Sequence, residues 1–546
     1  MSYNGKIQLV PLLRVAIACV AGILVGDKLV CHVHAVTWLS LAVLSLLIAG
    51  ISQCRSDRHI EKTKSGFHFH LRQGWMELTT VALFMASFFI GAACVQHEEM
   101  VMNPPLSGHA EEVRGVVVSA VSEKEGRSRC DLLVTCGPFV GHLLRVTVRE
   151  KILPWQVGDG IAVWTVVRGG QSVFHSSHLA FDYHRWLIVH GYIGTASVRS
   201  DGWRVCPQSL EQLSLISRLR VAALTARAAL LRQIFPVEAQ RLQHTSGSSH
   251  LSQEELDEAA VVAAMAMGEK SMLRTSLRDA YSISGVSHVL ALSGLHLGIL
   301  FGLLTLLLGR HPHWWTLPLF LLTIWGFTFL VGCGASVLRS ATMLTVYQVM
   351  KTFHRQGVSL NVWAFALWML LLINPLSLWD VGFQLSFMAV LGILTLGYLL
   401  CTYERPWRYR FTLTRKEKSI RSLLAFLYVS FSAQLATAPL VMYYFHRFSC
   451  YFFLTNLLVI PLTTILLYLI VAALLLFPLR GVLLTLTTGC AHMMNLFVSG
   501  VAALPGASIE GISINEVQLV AIYVVMILIC HLFFVLLHPG LCKDIL

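Results

Sequence analysis

The stretch Ser284-Gly-Val-Ser-His-Val-Leu-Ala-Leu-Ser-Gly-Leu-His-Leu-Gly-Ile-Leu300 opens an apolar run that continues to Leu308. That length predicts a helix able to cross a bilayer. Ser287, His288, Ser293 and His296 lie within it, and hydrocarbon tolerates such groups only where a neighbouring helix or a water-filled path supplies partners. One side of the helix is therefore expected to face protein or water. Gly294 and Gly298, four residues apart, let a second backbone approach closely. A small-residue seam beside a polar stripe predicts a packed bundle around a path. The plainer alternative is that the serines and histidines only satisfy one another at a helix contact.

The surrounding chain fits a membrane setting. Its 546 residues are 55% hydrophobic and 13% charged, with a mean hydropathy of +0.67, which excludes a soluble globular protein of this size. The 13 cysteines fall mostly in apolar segments with no Cys-x-x-Cys pair, so they read as small buried hydrophobes. Cys130, Cys136 and Cys206 lie in the one large polar segment, where the spacing allows a disulfide without implying one. The formal charge of +12 would suit nucleic acid, but basic residues in a membrane protein first report orientation. No small-residue cleavage site follows the first apolar stretch, which is expected to remain as a membrane helix.

The fold class expected is a polytopic α-helical membrane protein of about 12 segments with an inserted β domain. Candidate spans cover roughly 10–30, 36–51 and 78–95, then 285–309, 314–331, 335–350, 361–374, 381–400, 420–441, 451–477, 481–503 and 518–538. Several are short enough to be tilted, broken or re-entrant. One basic loop carries Arg55, Arg58, Lys62, Lys64 and Arg72; another carries Arg405, Arg408, Arg410, Arg415, Lys416, Lys418 and Arg421. Placing both in the cytoplasm puts the two termini inside and the 96–280 interval outside. The smaller basic loops at Arg310, at Lys351 with Arg355, and at Arg480 then also fall inside.

From about 97 to 205, short alternating or β-branched runs begin at Glu112, Cys130, Leu143 and Ile161, each bounded by turn residues. They predict a small β-barrel or sandwich. Between 215 and 280, Arg218, Arg220, Arg227 and Arg232 among Ala and Leu predict an amphipathic helix on the outer membrane surface or against the barrel. Residues 245–250 read as a loop, and Ser252-Gln-Glu-Glu255 as a capping box.

Further polar groups sit in the second set of spans. Ser336, Arg339 and Ser340 recur at three- and four-residue spacing. Asp380 and Gln384 share a helical face after the break at Asn374-Pro375. Arg339 and Asp380 are expected at one depth, where pairing lowers the cost of holding either near the bilayer. His296 and Gln434 are expected near mid-membrane, completing a polar ladder. The alternative is an Arg339–Asp380 staple and a Gln434 helix-to-helix hydrogen bond.

Ser293-Gly-Leu-His-Leu-Gly298, the run ending Arg339-Ser340, Asp380-x-Gly-Phe-Gln-Leu-Ser386, Ala433-Gln-Leu-Ala-Thr-Ala-Pro439, Tyr444-Phe-His-Arg-Phe-Ser449 and Asn456-Leu-Leu-Val-Ile-Pro461 resemble, in order, the signatures of the ComEC competence family. Phe181-Asp-Tyr-His-Arg-Trp-Leu with Gly191-Tyr-Ile-Gly194 resembles the closing motif of that family's OB-like outer domain. The resemblance implies an inner-membrane channel that passes single-stranded DNA into the cytoplasm during natural transformation. It divides the chain into N-terminal membrane helices (1–95), an extracytoplasmic OB-like domain (96–210), an outer-surface helical linker (211–280) and a channel domain (281–546). Ser293, His296, Ser336, Arg339, Ser340, Asp380, Gln384 and Gln434 would line the channel. Gly294 and Gly298 would pack helices, and Arg145, Trp155 and Trp164 would guide the strand by stacking and backbone contacts.

The resemblance has one departure. Many members end in a metallo-β-lactamase-like domain with a His-x-His-x-Asp-His motif. Here His-x-His occurs at His32/His34, His68/His70 and His311/His313 without the Asp-His, so no metal, cofactor or nuclease is expected in this chain. Gly268-Glu-Lys-Ser271 lacks the glycine loop of an ATP site, and no catalytic residue is assigned. Expected partners are membrane lipid, a periplasmic DNA receptor, a cytosolic helicase or strand-binding protein, and a separate nuclease; a homo-oligomer is compatible. Rival readings are a polar-lined transporter of a small solute or lipid, with helices broken at Pro375 and Pro439, and an intramembrane serine hydrolase using Ser293 with His296 or His288.

Overall fold

The computed structural model describes residues 11–29, 34–60, 66–106, 108–124, 126–137, 139–150, 153–169, 182–207, 210–234, 252–309, 314–353, 359–397, 400 and 415–537. Lys62, Lys64, Phe181, residues 245–250, Arg310, His32, His311, His313, Arg355 and residues 401–414 lie outside this set, as do the side chains of Arg58, His68, His70, Arg72 and Arg232.

The chain opens with helices α1 (Pro11–Lys28), α2 (Ala35–Ile60) and α3 (Gly66–Met102). Glycine sets how closely α1 and α3 approach: a Cβ at Gly22 would fall 1.9 Å from the Phe88 carbonyl oxygen, and one at Gly91 would fall 2.5 Å from that of Cys19. Ser87 on α3 donates to the Val15 carbonyl (2.9 Å) and accepts from the Trp368 indole (3.1 Å). Such hydrogen bonds hold helices together where the hydrophobic effect cannot, since lipid is as apolar as the core.

The sheet domain follows, with strands β1 (Glu111–Val117), β2 (Ser122–Lys124), β3 (Arg127–Val134), β4 (Leu143–Val148), β5 (Gly160–Thr165), β6 (Val167–Arg168), β7 (Tyr192–Val198) and β8 (Trp203–Val205), and helix α4 (Tyr183–Val189) before β7. The strand order is β6-β7-β4-β3-β1-β5-β8, with β2 on β3 and a parallel β4–β7 pair. The run 160–168 pairs with β1 through β5 and with β7 through β6, so one kinked strand joins distant parts of the path. Alternation along the strands buries Leu132, Leu144, Val146, Ile161, Val163 and Val198 in a single core.

Helices α5 (Leu215–Ile234), α6 (Gln253–Met267) and α7 (Thr275–Ile283) lead into the bundle. The reading of 211–280 as a surface linker does not hold for α6. Ala260 to Met267 are all buried and sit in the largest apolar cluster, against Val459, Leu466, Ala491 and Met494; the run of alanines lets neighbouring helices close on it. Ser252 caps α6 and Glu255 returns the bond, as the capping box predicts. Arg227 on α5, expected at a surface, is 9% exposed. It pairs with Glu269 at 2.9 Å and donates to the Met267 and Val331 carbonyls, which repays part of the cost of burying it.

The bundle comprises α8 (Ser287–Leu290), α9 (Gly294–Leu308), α10 (Thr316–Leu330), α11 (Ala335–Thr352), α12 (Ser359–Ile373), α13 (Val381–Gly392), α14 (Arg415–Phe445), α15 (Phe452–Leu475), α16 (Arg480–Ala502) and α17 (Glu516–Leu537). A 3-10 turn, Pro375–Trp379, separates α12 from α13, and a π turn, Ile393–Gly397, extends α13. The single helix expected over 285–309 is broken: α8 spans 4 residues and Ala291 is extended before Ser293 starts α9. Conversely, α14 runs unbroken through Pro439, where the rival transporter reading has a break. Strands β9 (Arg447–Ser449) and β10 (Ser508–Glu510) pair antiparallel and tie the α14–α15 and α16–α17 connections together.

Among the described residues, 6 helices are long and apolar enough to cross a membrane: α2, α3, α14, α15, α16 and α17. The segments Gly294–Leu308, Thr316–Leu330, Ser359–Ile373 and Val381–Gly397 are apolar but shorter. The expected segments thus occur as helices, while length and apolarity single out half of the expected number. A staple joins the sheet domain to the bundle. Arg185 on α4 reaches Asp27 (2.5 Å) at the end of α1 and Glu99 (3.3 Å) near the end of α3, and its guanidinium lies 4.0 Å from the Trp379 ring centroid.

Candidate functional site

The break before α9 is made by local hydrogen bonding. Ser293 is extended and its hydroxyl accepts from Leu295 N–H, while the N–H of Ser293 donates to Nδ1 of His296 at 3.4 Å. The motif Ser-Gly-Leu-His therefore writes a capping box with histidine in the place usually held by Glu or Gln. His296 is 1% exposed, and among the described residues its Nε2 has no hydrogen-bond partner. Ser293 Oγ lies 3.2 Å from His296 Nδ1, the spacing a serine nucleophile would need. Here that hydroxyl caps a helix, and no third side chain orients the ring from Nε2.

Gly294 lies against α11, where an added Cβ would come within 2.6 Å of Ser340 Oγ. Ser340 in turn donates to the Ser336 carbonyl at 3.1 Å. Gly298 does not share this seam. A Cβ there would meet nothing within 4 Å; further along, α9 meets α11 through other residues, with Phe301 edge-on to Tyr347.

Arg339 points the other way, toward α13. It is 3% exposed and lies 3.6 Å from Asp380, and it donates to the Gly382 carbonyl at 2.6 Å, with its guanidinium 5.5 Å from the Phe383 ring centroid. Asp380 caps α13 by accepting from Gly382 N–H at 2.9 Å. One turn on, Gln384 donates to the Leu378 carbonyl (2.8 Å) and accepts from the Tyr444 hydroxyl (3.0 Å). Tyr444 and the Gly382 carbonyl were not singled out from sequence. The first opens a quoted motif without being given a role there, and the second is backbone and leaves no side-chain signal. Gln434 is half-buried on α14, about 15 Å along the helix from Tyr444. The expected ladder is thus not continuous: Asp380 pairs with Arg339 and Gln384 lies one turn on, while Ser293 and His296 lie on the Ser340 side of α11 and Gln434 lies apart.

Two of the three guiding residues expected on the sheet domain are internal. Arg145 pairs with Asp131 at 3.1 Å and donates to the Tyr192 hydroxyl at 3.0 Å, and it lies within 4.7 Å of the Trp186 and Tyr192 ring centroids. Burial works against its charge, but Asp131 and Tyr192 outweigh that and hold it above the usual arginine value. Burial, followed by the charge of Asp131, pushes the Tyr192 phenol up. Trp155 is 5% exposed and packs edge-on to Trp203; core packing claims it. Trp164 is 59% exposed and lies opposite Glu112 on β1. Arg114 and Arg204 both bond Glu112. Among the described residues, no three His, Cys, Asp or Glu side chains gather as a metal site would require.

The Competence protein family model matches residues 265–538, which takes in Ser293, His296, Arg339, Asp380 and Gln384. ComE operon protein 3 of Bacillus subtilis is 31% identical over 213 residues, covering 38% of this chain and 25% of its own length. Recombination protein 2 of Haemophilus influenzae is 24% identical over 254 residues, covering 44% and 31%. The uncharacterized protein YcaI of Escherichia coli is 25% identical over 216 residues, covering 38% and 27%. The matched stretches span between a quarter and a third of these relatives' length. No solved structure matches the chain. With half of its length matched by the family model, the chain belongs to the Competence protein family.

Proposed function

We infer that this chain serves DNA uptake, forming an inner-membrane channel that passes a single DNA strand into the cytoplasm. The observation that carries the reading is the buried Arg339 beside half-buried Asp380, with half-buried Gln384 and Tyr444 one turn on, inside the segment matched by the Competence family. Ionisable residues among apolar helices mark transport paths more often than not, and a polyanion crossing hydrocarbon needs donors in place of its lost water.

In this reading both termini are cytoplasmic and the sheet domain is extracytoplasmic. The kinked strand 160–168, paired to β1 and β7, closes the sheet as an OB-like barrel, and Trp164 is the stacking residue on its outer face. The linker 211–280 then belongs partly to the channel, since α6 lies in its core. A cytosolic helicase or strand-binding protein pulls the strand, and a separate nuclease removes its complement.

The test is deletion of the gene with and without complementation. The expected result is loss of recovery of exogenous genetic markers while DNA captured at the cell surface stays at wild-type level. Marker recovery at the wild-type frequency in the deletion strain would refute the reading.

A further inference from the structure

The outer side of the sheet changes character along β3, β4 and β7. Under α4 and α5 it is apolar, with Leu133, Leu143 and Tyr192 clustered with Leu187 and Leu224. Alternate residues of a strand share a face, and cross-strand partners share it too. The register therefore makes Asp131, Arg145, Thr195 and Arg168 the next row on that face. Arg129, Thr147 and Ser197 form the row after it, flanked by Ser122 on β2. Two residues further along each strand stand Arg127, Arg149 and Arg199. Arg149 prolongs the β4–β7 ladder, since its N–H donates to the Val198 carbonyl. The opposite face of these strands, with Cys130, Val146, Val148 and Val198, is core.

Arg127, Arg129, Arg149, Arg168 and Arg199 are all exposed, and among the described residues no hydrogen bond or ion pair holds their guanidinium groups. Asp131, the carboxylate that the register sets in these rows, is spent on Arg145 and Tyr192. Strands about 4.8 Å apart place Arg127, Arg149 and Arg199 abreast within roughly 10 Å, and rows about 6.7 Å apart place all five arginines within roughly 20 Å. Like charges side by side on a sheet are destabilising, and an anion laid across them removes that cost. The far end of the sheet is arranged differently, because Arg114 and Arg204 there share Glu112, opposite Trp164. The rows hold no exposed large apolar side chain of the kind that a surface inserting into lipid carries. Between the arginines stand the small hydroxyls of Ser122, Thr147, Thr195 and Ser197.

We propose that this arginine face of β3, β4 and β7 holds the phosphate backbone of a single DNA strand. The proposal rests on the reading of the chain as a DNA channel and adds where the sheet domain grips the strand and by which chemistry. A guanidinium offers a phosphate two parallel hydrogen bonds, and serine and threonine hydroxyls are common contacts to phosphate and sugar. Such contacts carry no sequence information, so the face accepts any strand and lets it slide. Trp164, at the other end of the strands, is a separate contact that stacks on bases.

The test uses the full chain in nanodiscs of neutral phosphatidylcholine and a fluorescent single-stranded oligothymidine, titrated at several salt concentrations. Each phosphate contact adds about 0.7 to the slope of log affinity against log salt. The fourfold variant Arg127→Gln/Arg129→Gln/Arg149→Gln/Arg199→Gln is expected to bind at least about tenfold more weakly, with a slope shallower by about 2–3. The corresponding fourfold lysine variant is expected to keep the slope, and Trp164→Ala to lose affinity at an unchanged slope. The pairs Arg127→Gln/Arg129→Gln and Arg149→Gln/Arg199→Gln replace the fourfold glutamine variant if it does not elute as the wild type does, each with about half the change in slope. Glutamine variants that elute normally and keep the wild-type slope overturn the face and leave the DNA reading standing. Loss of binding to phosphatidylglycerol vesicles with strand binding unchanged makes the face a membrane contact and overturns the proposal. Wild-type protein that binds no strand at any salt also overturns it, while marker recovery in the deletion strain judges the DNA reading separately.

Discussion

Two arginines, one in the sheet domain and one in the bundle, are each set opposite an aspartate and beside an aromatic ring, yet they differ in what is left over. Arg145 spends its donors on Asp131 and Tyr192 and lies against two ring faces, and none of its buried nitrogens lacks a partner. Arg339 is the more deeply buried of the two, at 3% against 16% side-chain exposure, and keeps two nitrogens free of hydrogen bonds. The more deeply buried of the two arginines is thus the less fully bonded one.

The sharpest challenge to that distinction is removal of each aspartate. Asp380→Ala strands a guanidinium in the bundle and is expected to cost about 3–5 kcal/mol, whereas Asp131→Ala leaves Arg145 its tyrosine and rings and costs about 1.5–3 kcal/mol. Thermal unfolding of purified protein in detergent compares the two, and equal losses would erase the contrast. Within the sheet domain, Trp155→Ala is expected to cost about 3–5 kcal/mol of stability. Trp164→Ala should leave unfolding unchanged and weaken single-strand binding by about 1–3 kcal/mol, read by fluorescence anisotropy. If Trp164→Ala binds as the wild type does, the outer face is not a stacking platform.

Smaller effects separate the glycines of α9. Gly294→Val drives a side chain into Ser340 and is expected to lower stability by about 1–3 kcal/mol. Gly298→Ala meets open space and should raise stability by up to about 1 kcal/mol through helix propensity; the shift in midpoint temperature gives the sign of each. The smallest expected change is that of Tyr192→Phe, about 1 kcal/mol for the hydrogen bond to Asp131. Its pH dependence is more telling than its size. Because burial and Asp131 raise the Tyr192 pKa above the usual tyrosine value, its contribution is complete below about pH 10 and is lost as pH rises through the folded value. Unfolding curves of wild type and Tyr192→Phe should converge in strong alkali.

The sequence made the helices legible because apolar runs between charged loops need little context. It also made Arg339 and Asp380 legible as partners, because few charges sit in that half of the chain. The break before Ser293 was not legible. The apolar run is continuous there, and only the hydrogen bonds of Ser293 and His296 stop the first helix and start the next. Arg145 was read as a surface residue because strand alternation puts it on the polar face of β4, and only the tertiary fold shows Asp131 directly across from it and Trp186 of α4 against its guanidinium. Arg227 was misplaced for a similar reason: its carboxylate, Glu269, lies 42 residues on, and no spacing rule connects them.

The Arg185 clamp carries a mechanical corollary. It grips Trp379, and the next residue is Asp380, whose carboxylate faces Arg339. A tug or twist applied to the sheet domain would therefore arrive at the ion pair across a single peptide linkage, with the ends of α1 and α3 as its fulcrum. Load on that domain would in this way loosen or tighten the pair, with no need for a moving lid.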